Sequence, residues 1–354
     1  MKNTYYEERK SKTEYQLEIL INELPYFAEE YFIGMETTTS PLTRLGYALD
    51  LRIFFDFLCN KLRKFNGLTL HEFTIKHLAI IEAFDIEKFL SYLSNYDFNG
   101  KHYSNSLTTK SRKLATIRSF FKYYYNKNKL SENVASKVSM PKLHEKPIIR
   151  LESEEVYDML NVCENTRLAT DRQKAYNEKT KLRDTAILSL FLGTGIRISE
   201  LVGLDLNSFD FYKNSFIVTR KGGNQSILYF NDDVAIALLE YYEERVKIDV
   251  KNDDKDAFFL SLQNRRITTR AVQNLVQKYA KMSTPLKHIT PHKLRSTFGT
   301  NLYRETKDIY VVAEVLGHKD INVTKKHYAD ISEEIKKEAV SHVQIKENPI
   351  KLED

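Results

Sequence analysis

Apolar residues recur at three- and four-residue steps along most of this chain, and this spacing constrains the fold more than any other feature. The pattern is clear in LTRLGYALDLRIFFDFLCNKL and KSRKLATIRSFFKYYYNKNKL, and it returns in KLRDTAILSLFLGTG and TTRAVQNLVQKYAKM. Such spacing is typical of amphipathic helices. One segment differs, because FIVTRKGGNQSILYF places β-branched and aromatic runs on both sides of Gly222 and Gly223, which predicts a hairpin. The sequence therefore predicts a mainly α protein with one small antiparallel sheet.

Length and proline placement predict two domains. The 354 residues exceed the usual size of one domain, about 100–200 residues. The segment SKVSMPKLHEKPIIRLE carries Pro141 and Pro147 among charged residues and lacks helical periodicity, which indicates a linker. We therefore expect an all-helical N-terminal domain over residues 1–145, a linker to about residue 150, and a mixed, mostly helical domain over residues 150–354 that holds the sheet.

Composition argues against several classes of protein. No segment has the long, charge-free apolar run of a membrane span, and MKNTYYEERKSKTEYQ lacks the apolar core of a secretory signal, so a cytoplasmic location is expected. Cys59 and Cys163 lie far apart and form no CxxC pattern, which indicates neither a disulfide framework nor a zinc site.

Positive charge is concentrated in residues 101–150. This segment has twelve lysines and arginines against two acidic residues, whereas residues 151–354 hold 31 of each sign. Such a stripe fits a phosphate backbone, because each phosphate contact releases counterions. A solvated helix face with a basic linker would have the same composition. Asn105, Ser106 or Thr108 can cap the basic helix, whose candidate phosphate contacts are Lys110, Arg112, Lys113, Arg118 and Lys122.

Residues suited to phosphodiester chemistry are scattered over the second half of the chain. Arginine and lysine can hold phosphate oxygens, histidine and lysine can move protons, and tyrosine can act as a nucleophile. Taken singly, each of these residues has another explanation. Arg197 and Glu200, for example, have the three-residue spacing of an ordinary surface ion pair on a helix. The candidates are Arg197, Lys221, His292, Arg295, His318 and Tyr328.

Local context favours a common site for these residues. Arg197 follows a glycine pair and precedes a helix start, which is a place that favours anions. Lys221 lies at the turn of the predicted hairpin. His292 and Arg295 follow a Thr-Pro helix start and fall on one helical face. His318 follows a glycine that can end a helix.

Five blocks of the second half resemble the tyrosine recombinase family of phage integrases and Xer proteins. They are GTGIRISEL, VTRKGG, TPHKLRSTFGTNL, EVLGH and HYADIS, in that order and at comparable spacings. The N-terminal half, with TRLGYALDLRIFFDFL and RKLATIRSFFKYYY, is similar to the core-binding (SAM-like) domain of this family, so the resemblance spans residues 15–340. The step from His318 to Tyr328 is one residue longer than in the Xer branch, as in many integrases, and His327 is a rival to Tyr328.

The resemblance implies site-specific cutting and rejoining of DNA through a 3′-phosphotyrosine link on Tyr328, without metal or cofactor. Arg197 and Arg295 would clamp the phosphate oxygens, with Glu200 orienting neighbouring groups. Lys221 would protonate the departing oxygen, and His292 and His318 would assist proton movement. The resemblance further implies double-stranded DNA clamped between the two domains and a homotetramer on two DNA sites. In that assembly a helix within SEEIKKEAVSHV would be exchanged between protomers, and an accessory protein would be a possible addition.

Two other functions use similar residues. A catalytically inactive relative would act as a DNA-binding or architectural protein, but such a relative is expected to lose some of the six residues. A type IB topoisomerase shares the tyrosine chemistry, but the GTGIRISEL and LGH blocks favour a recombinase. The family resemblance is compatible with integration, excision and chromosome dimer resolution.

Overall fold

The structure is a computed structural model that describes residues 5–143, 148–165, 171–220, 223–250 and 253–317, together with Asp320, Ile321, Lys325 and Val340. The chain divides into two compact units, Met1–Lys146 and Pro147–Asp354. Within the described ranges, no helix is both long enough and apolar enough to cross a lipid bilayer.

Helices make up most of the first unit. They are α1 (Tyr5–Asn22), α2 (Ala28–Gly34), α3 (Pro41–Lys61), α4 (Ile75–Ala79), α5 (Ala83–Tyr92) and α6 (Leu107–Asn126). The hydroxyl of Ser106 accepts a hydrogen bond from the amide of Thr109, so Ser106 is the cap of α6. Ser40 caps α3 in the same way, ahead of a proline at the first helical position.

The first unit was expected to be all-helical, but it also contains a short hairpin between α5 and α6. Strand β1 (Tyr96–Phe98) pairs with β2 (Lys101–Tyr103) in an antiparallel register. Asn99 and Gly100 both have positive φ, at 49° and 70°, as a two-residue type I′ turn requires. The Asn-Gly pair is a hairpin signal that was visible in the sequence, but the strands it joins are only three residues long.

Helices α3 and α6 pack on a core dominated by aromatic rings. Phe54, Phe55 and Phe120 are fully buried, and the rings of Phe55 and Phe120 meet edge to face with centroids 5.7 Å apart. Such aromatic pairs contribute about 0.5–1.5 kcal/mol beyond the area they bury. This packing determines which face of α6 turns inward, and therefore which of its basic residues are exposed.

The second unit combines helices with one small sheet. Its helices are α7 (Ser153–Asn165), α8 (Asp171–Thr194), α9 (Ile198–Val202), α10 (Asp232–Arg245), α11 (Thr269–Ser283), α12 (Pro291–Thr306) and α13 (Ile309–Leu316). Strands β3 (Phe209–Asp210), β4 (Ser215–Thr219) and β5 (Gln225–Tyr229) form an antiparallel sheet in the order β3-β4-β5, with Ile217 opposite Ile227. The predicted fold class, mainly helical with a small antiparallel sheet, is confirmed.

Helix α8 lies at the centre of this unit, where it packs against α7, α10 and α12. Its C-terminal half is apolar on several faces, as expected of a helix surrounded by others, and its fully buried side chains are Ala186, Ile187, Leu188, Leu190 and Phe191. The helix ends at Thr194, and Gly195 takes the left-handed φ of 62° that turns the chain towards α9. The end of this rigid helix positions Arg197.

Candidate active site

Arg197 is held by a buried carboxylate at the start of α9. It occupies the N-cap position, and its guanidinium Nη1 donates to Oε1 of Glu200 at 3.0 Å. The other carboxylate oxygen of Glu200 accepts the backbone amide of Arg197, also at 3.0 Å. Because Glu200 is only 2% exposed, this is not the surface ion pair that the spacing alone allowed. Glu200 therefore fixes both the backbone and the side chain of Arg197.

Arg295 lies in the interior of α12 and joins two chain turns. It is 6% exposed, and α12 starts at Pro291 as the Thr-Pro signal predicts. Its Nη1 donates to the carbonyl of Gly195, which lies before α9, and its Nη2 donates to the carbonyl of Leu316, the last residue of α13. A planar guanidinium can make both bonds at once. Arg295 thus fixes the end of α8 against the end of α13.

Gly317 provides a further backbone carbonyl acceptor at the end of α13. It ends α13 in the left-handed conformation, with φ 62° and ψ 49°, and its carbonyl accepts a bond of 3.1 Å from Nη2 of Arg197. The last carbonyls of a helix lack partners within the helix and carry partial negative charge, so they attract cations. The predicted glycine stop before His318 is present, and the two arginines converge on the carbonyls beside it.

His292 lies one turn before Arg295 on α12, with a ring that keeps an exposed portion. Desolvation by the surrounding protein lowers the pKa of His292, and the positive charges of Arg295, Lys293 and Arg197 lower it further. The imidazole is therefore neutral at physiological pH, and a neutral ring nitrogen can accept a proton. Arg197 and Arg295 therefore lie close enough to His292 for their charges to lower its pKa.

The other three predicted catalytic residues, Lys221, His318 and Tyr328, lie outside the described residues, as does the rival His327. Two of them adjoin described positions of the site. Lys221 follows Arg220 at the end of the β4–β5 hairpin, and His318 follows Gly317. In the part of the chain that the structure describes, no group of three or more His, Cys, Asp and Glu side chains is placed to hold a metal ion.

The structure adds two features that motif reasoning missed. Arg220 donates from Nη1 to the carbonyl of Leu316 at 3.0 Å, which makes it a third arginine at the end of α13. Its position directly before Lys221 was the available signal. The acceptors of the three arginines at the end of α13, the carbonyls of Leu316 and Gly317, are backbone groups, so residue identity alone could not reveal them.

The basic residues of α6 fall into two groups. Arg112 and Lys122 are exposed and Lys110 is partly so, with its ammonium 2.6 Å from the hydroxyl of Ser94. Lys113, by contrast, is 4% exposed and donates to the buried Asp50 of α3 at 2.9 Å. It lies in the core rather than on the basic surface that the charge count suggested, because the inward face of α6 carries its own counter-charge.

Arg118 is also engaged within the first unit. Its guanidinium donates to the backbone carbonyls of Ala135, at 3.2 Å, and of Val138. These carbonyls flank the end of a 3-10 turn over Val134–Lys137. The side chain therefore anchors the segment that follows α6, which gives it a structural role in addition to the predicted phosphate contact.

Comparison with known proteins gives one consistent result. Residues 150–334 match the phage integrase family. The tyrosine recombinase XerC of Caldanaerobacter subterraneus subsp. tengcongensis is 34% identical over 337 residues, which cover 93% of this chain and 88% of that protein.

Solved structures share the fold. The XerH site-specific recombinase bound to its difH substrate has a TM-score of 0.60 at 21% identity. The match covers 84% of this chain and 79% of the XerH chain. The Tn1549 transposon integrase in complex with a circular intermediate DNA has a TM-score of 0.61 at 19% identity. The match covers 87% of this chain and 98% of the integrase chain. The family match and the XerC relative place the chain in the phage integrase family, the tyrosine recombinases.

Proposed function

We propose that this tyrosine recombinase cuts and rejoins double-stranded DNA at specific sites, with Tyr328 as the nucleophile. The phenolic oxygen of Tyr328 attacks phosphorus, and the bond from phosphorus to the 5′ oxygen breaks. The phosphorus stays attached to the 3′ oxygen, so the products are a 3′-phosphotyrosine link and a free 5′ hydroxyl. Because the link stores the energy of the broken ester, a second 5′ hydroxyl can reverse the step on another strand without an external energy source.

Arg197 and Arg295 bind the non-bridging oxygens of the scissile phosphate in this scheme. The observation that carries the proposal is their convergence: both donate to the carbonyls at the end of α13, so their guanidinium groups lie around one point. Glu200 keeps Arg197 oriented before the substrate arrives. Donors fixed in advance stabilise the charge that develops at phosphorus without reorganising during the reaction.

Proton transfer falls to three residues. Lys221 protonates the departing 5′ oxygen. His292, assisted by His318, accepts the proton of Tyr328, whose ordinary pKa of about 10 leaves the phenol neutral at physiological pH. The lowered pKa of His292 supports this role, since a protonated imidazole could not take the proton.

The first unit contributes phosphate contacts outside the reacting centre. Lys122 is exposed on α6 and Lys110 is partly exposed, so their charges are available to DNA, whereas Lys113 is buried and the exposed Arg112 already donates to Asp50 through both Nη atoms. We further propose that the protein works in the cytoplasm as a homotetramer on two DNA sites, with or without an accessory protein. A C-terminal segment from about residue 332 onward would pack on the next protomer.

The central assignment is tested with a nicked DNA site, on which cleavage releases a short strand and traps the covalent complex. Wild-type protein should give a complex that survives denaturant and shifts on a gel. Tyr328→Phe should give none, while His327→Gln, which removes the rival side chain next to it, should still form the complex. If Tyr328→Phe formed the complex and His327→Gln did not, His327 would be the nucleophile.

Assembly is tested by truncation before residue 332. We expect the truncated protein to bind one half-site with unchanged affinity and to lose cooperative binding of the second protomer. The two affinities are measured separately by gel shift on a half-site and on a full site. Equal losses in both would refute the exchange role of the C-terminal segment.

A further inference from the structure

Arg220 directly follows strand β4, and its side chain reaches the end of α13. Its Nη1 donates to the carbonyl of Leu316 at 3.0 Å, and Arg295 donates to the same oxygen. The neighbouring carbonyl, that of Gly317, accepts from Arg197. Arg220 therefore shares one acceptor with Arg295 and lies beside the carbonyl that accepts from Arg197, although Arg220 is not one of the six residues with a chemical role in the proposed reaction.

Gly317 is shaped to receive this side chain. A Cβ atom placed on Gly317 would lie 1.3 Å from Nη1 of Arg220 and 2.3 Å from its Cζ, far inside contact distance. The φ of 62° adds a second reason for glycine, because an L-residue in the left-handed region is strained by about 1–2 kcal/mol. The guanidinium thus lies directly against the backbone of the turn that leads into His318.

Hydrogen bonds at the hairpin end make Arg220 an anchor for the loop. The amide of Arg220 donates to the carbonyl of Asn224 at 2.7 Å, and the amide of Gly223 donates to the carbonyl of Arg220 at 3.1 Å. In the sequence, Lys221 lies between these bonded positions. A side chain that fixes Arg220 therefore fixes the point from which Lys221 departs.

Arg220 is partly buried among the charged groups of the site. Burial lowers the pKa of Arg220, the nearby carboxylate of Glu200 opposes this shift, and the positive charge of Arg197 adds a smaller lowering. The Nε of Arg220 is buried and, among the described residues, has no hydrogen-bond partner. An unpaired buried donor costs about 1–3 kcal/mol, which the bond from Nη1 to the carbonyl of Leu316 has to offset.

We propose that Arg220 is a positioning residue for proton transfer, which holds the hairpin loop carrying Lys221 against the α13 turn that precedes His318. The proposal rests on the proposed function, in which Lys221 protonates the 5′ oxygen. Arg220 would act through Lys221 and would not itself bind the scissile phosphate.

The test replaces the 5′-bridging oxygen of a nicked site by sulfur. An alkoxide, like hydroxide, is a strong base and needs a proton to leave. A thiol has a pKa of about 8.5, so the thiolate leaves without one. Loss of the proton donor should therefore slow cleavage of the oxygen substrate and not of the sulfur substrate.

Arg220→Met removes the donors while keeping an unbranched side chain of similar reach. We expect it to cleave the oxygen substrate about 10- to 100-fold more slowly than wild type, the cost of misplacing a catalytic group by about 1 Å. On the sulfur substrate its rate should return to within about threefold of wild type, because the general acid is then dispensable. Arg220→Lys, which can still donate to the carbonyl of Leu316, should lie between wild type and Arg220→Met on the oxygen substrate.

Two controls separate the possible results. Lys221→Ala should be rescued by sulfur, and Arg197→Ala should not, because it removes charge stabilisation at phosphorus. If Arg220→Met is slow on both substrates, as Arg197→Ala is, or is not slow at all, the positioning role is wrong. If Lys221→Ala is also not rescued, the acid assignment in the proposed function fails and this inference fails with it.

A double-mutant cycle checks the contact itself without relying on the chemistry. Gly317→Ala should destabilise the wild type through both overlap with Arg220 and left-handed strain, whereas in an Arg220→Ala background only the strain of about 1–2 kcal/mol remains. Melting curves of the four proteins measure the difference. Equal effects of Gly317→Ala in the two backgrounds would show that Arg220 does not occupy this place.

Discussion

Replacing Asp50 by asparagine should destabilise the first unit strongly while barely changing its shape. The Asp50 side chain is 1% exposed and accepts hydrogen bonds from Arg112, from Nζ of Lys113 at 2.9 Å and from the hydroxyl of Thr116 at 3.0 Å. Asparagine can still accept the bond from Thr116. What it cannot do is balance the charge of Lys113, whose side chain is only 6% exposed.

The two cation partners of Asp50 contribute unequally, and their exposure decides which one dominates. The Arg112 side chain is 53% exposed, so solvent screens its charge and its loss should cost less than about 1 kcal/mol. Lys113 is buried, and a buried charge left without its partner costs about 3–5 kcal/mol. Asp50→Asn should therefore cost about 3 kcal/mol, and Arg112→Met should cost much less.

Urea unfolding of the full chain measures this cost. Because the chain has no tryptophan, far-UV circular dichroism is the appropriate signal. With a denaturant slope of about 2 kcal/mol per molar, the midpoint of the affected transition should fall by about 1.5 M. Adding Lys113→Met to Asp50→Asn should recover about 2 kcal/mol, since the double variant has no unpaired buried charge. A cost below about 1 kcal/mol for Asp50→Asn, or no recovery in the double variant, would refute the reasoning.

Three further predictions concern the site and the DNA surface. Glu200→Gln should slow covalent-complex formation about tenfold with little change in DNA affinity, because Arg197 loses its carboxylate but keeps its charge; unchanged rates would exclude an orienting role. The protein lowers the pKa of His292 below its unfolded value of about 6.5, so the unfolded chain binds the proton first as pH falls. Acid should therefore lower the melting temperature of wild type more than that of His292→Asn. Parallel curves of melting temperature against pH for the two proteins would contradict this. Lys122→Gln should reduce the salt slope of DNA binding by about 0.9, whereas a slope change with the buried Lys113→Met would place that residue on the DNA surface after all.

Local sequence signals predicted the elements that present the site. Arg197 at the start of α9 and the Thr-Pro start of α12 were readable because helix ends have side-chain signatures within a few residues. The same holds for the glycine that ends α13. These signals work because the physical cause, a few unpaired backbone groups at a helix end, is itself local.

The features that could not be predicted depend on partners far along the chain. Lys113 and Lys122 are both lysines on α6, yet one is buried and the other exposed, and the buried one is paired with Asp50 of another helix, 63 residues away. Helical periodicity places Lys113 beside the apolar Leu114 and Ile117, but a lone lysine on such a face gives no indication of its counter-charge. Arg220 was missed for a related reason, because its partner is the carbonyl of Leu316, 96 residues away.

The gathering of Arg197, Arg220 and Arg295 on two carbonyl oxygens also affects how the enzyme responds to its ligand. Guanidinium groups repel one another, and a phosphate anion bound by Arg197 and Arg295 would offset that repulsion. Substrate binding is then thermodynamically linked to folding: DNA, or even inorganic phosphate, would act as a stabiliser of the second unit in proportion to the logarithm of its concentration. Because its guanidinium groups lie close together, the melting temperature of the second unit should report anion binding without any cleavage assay.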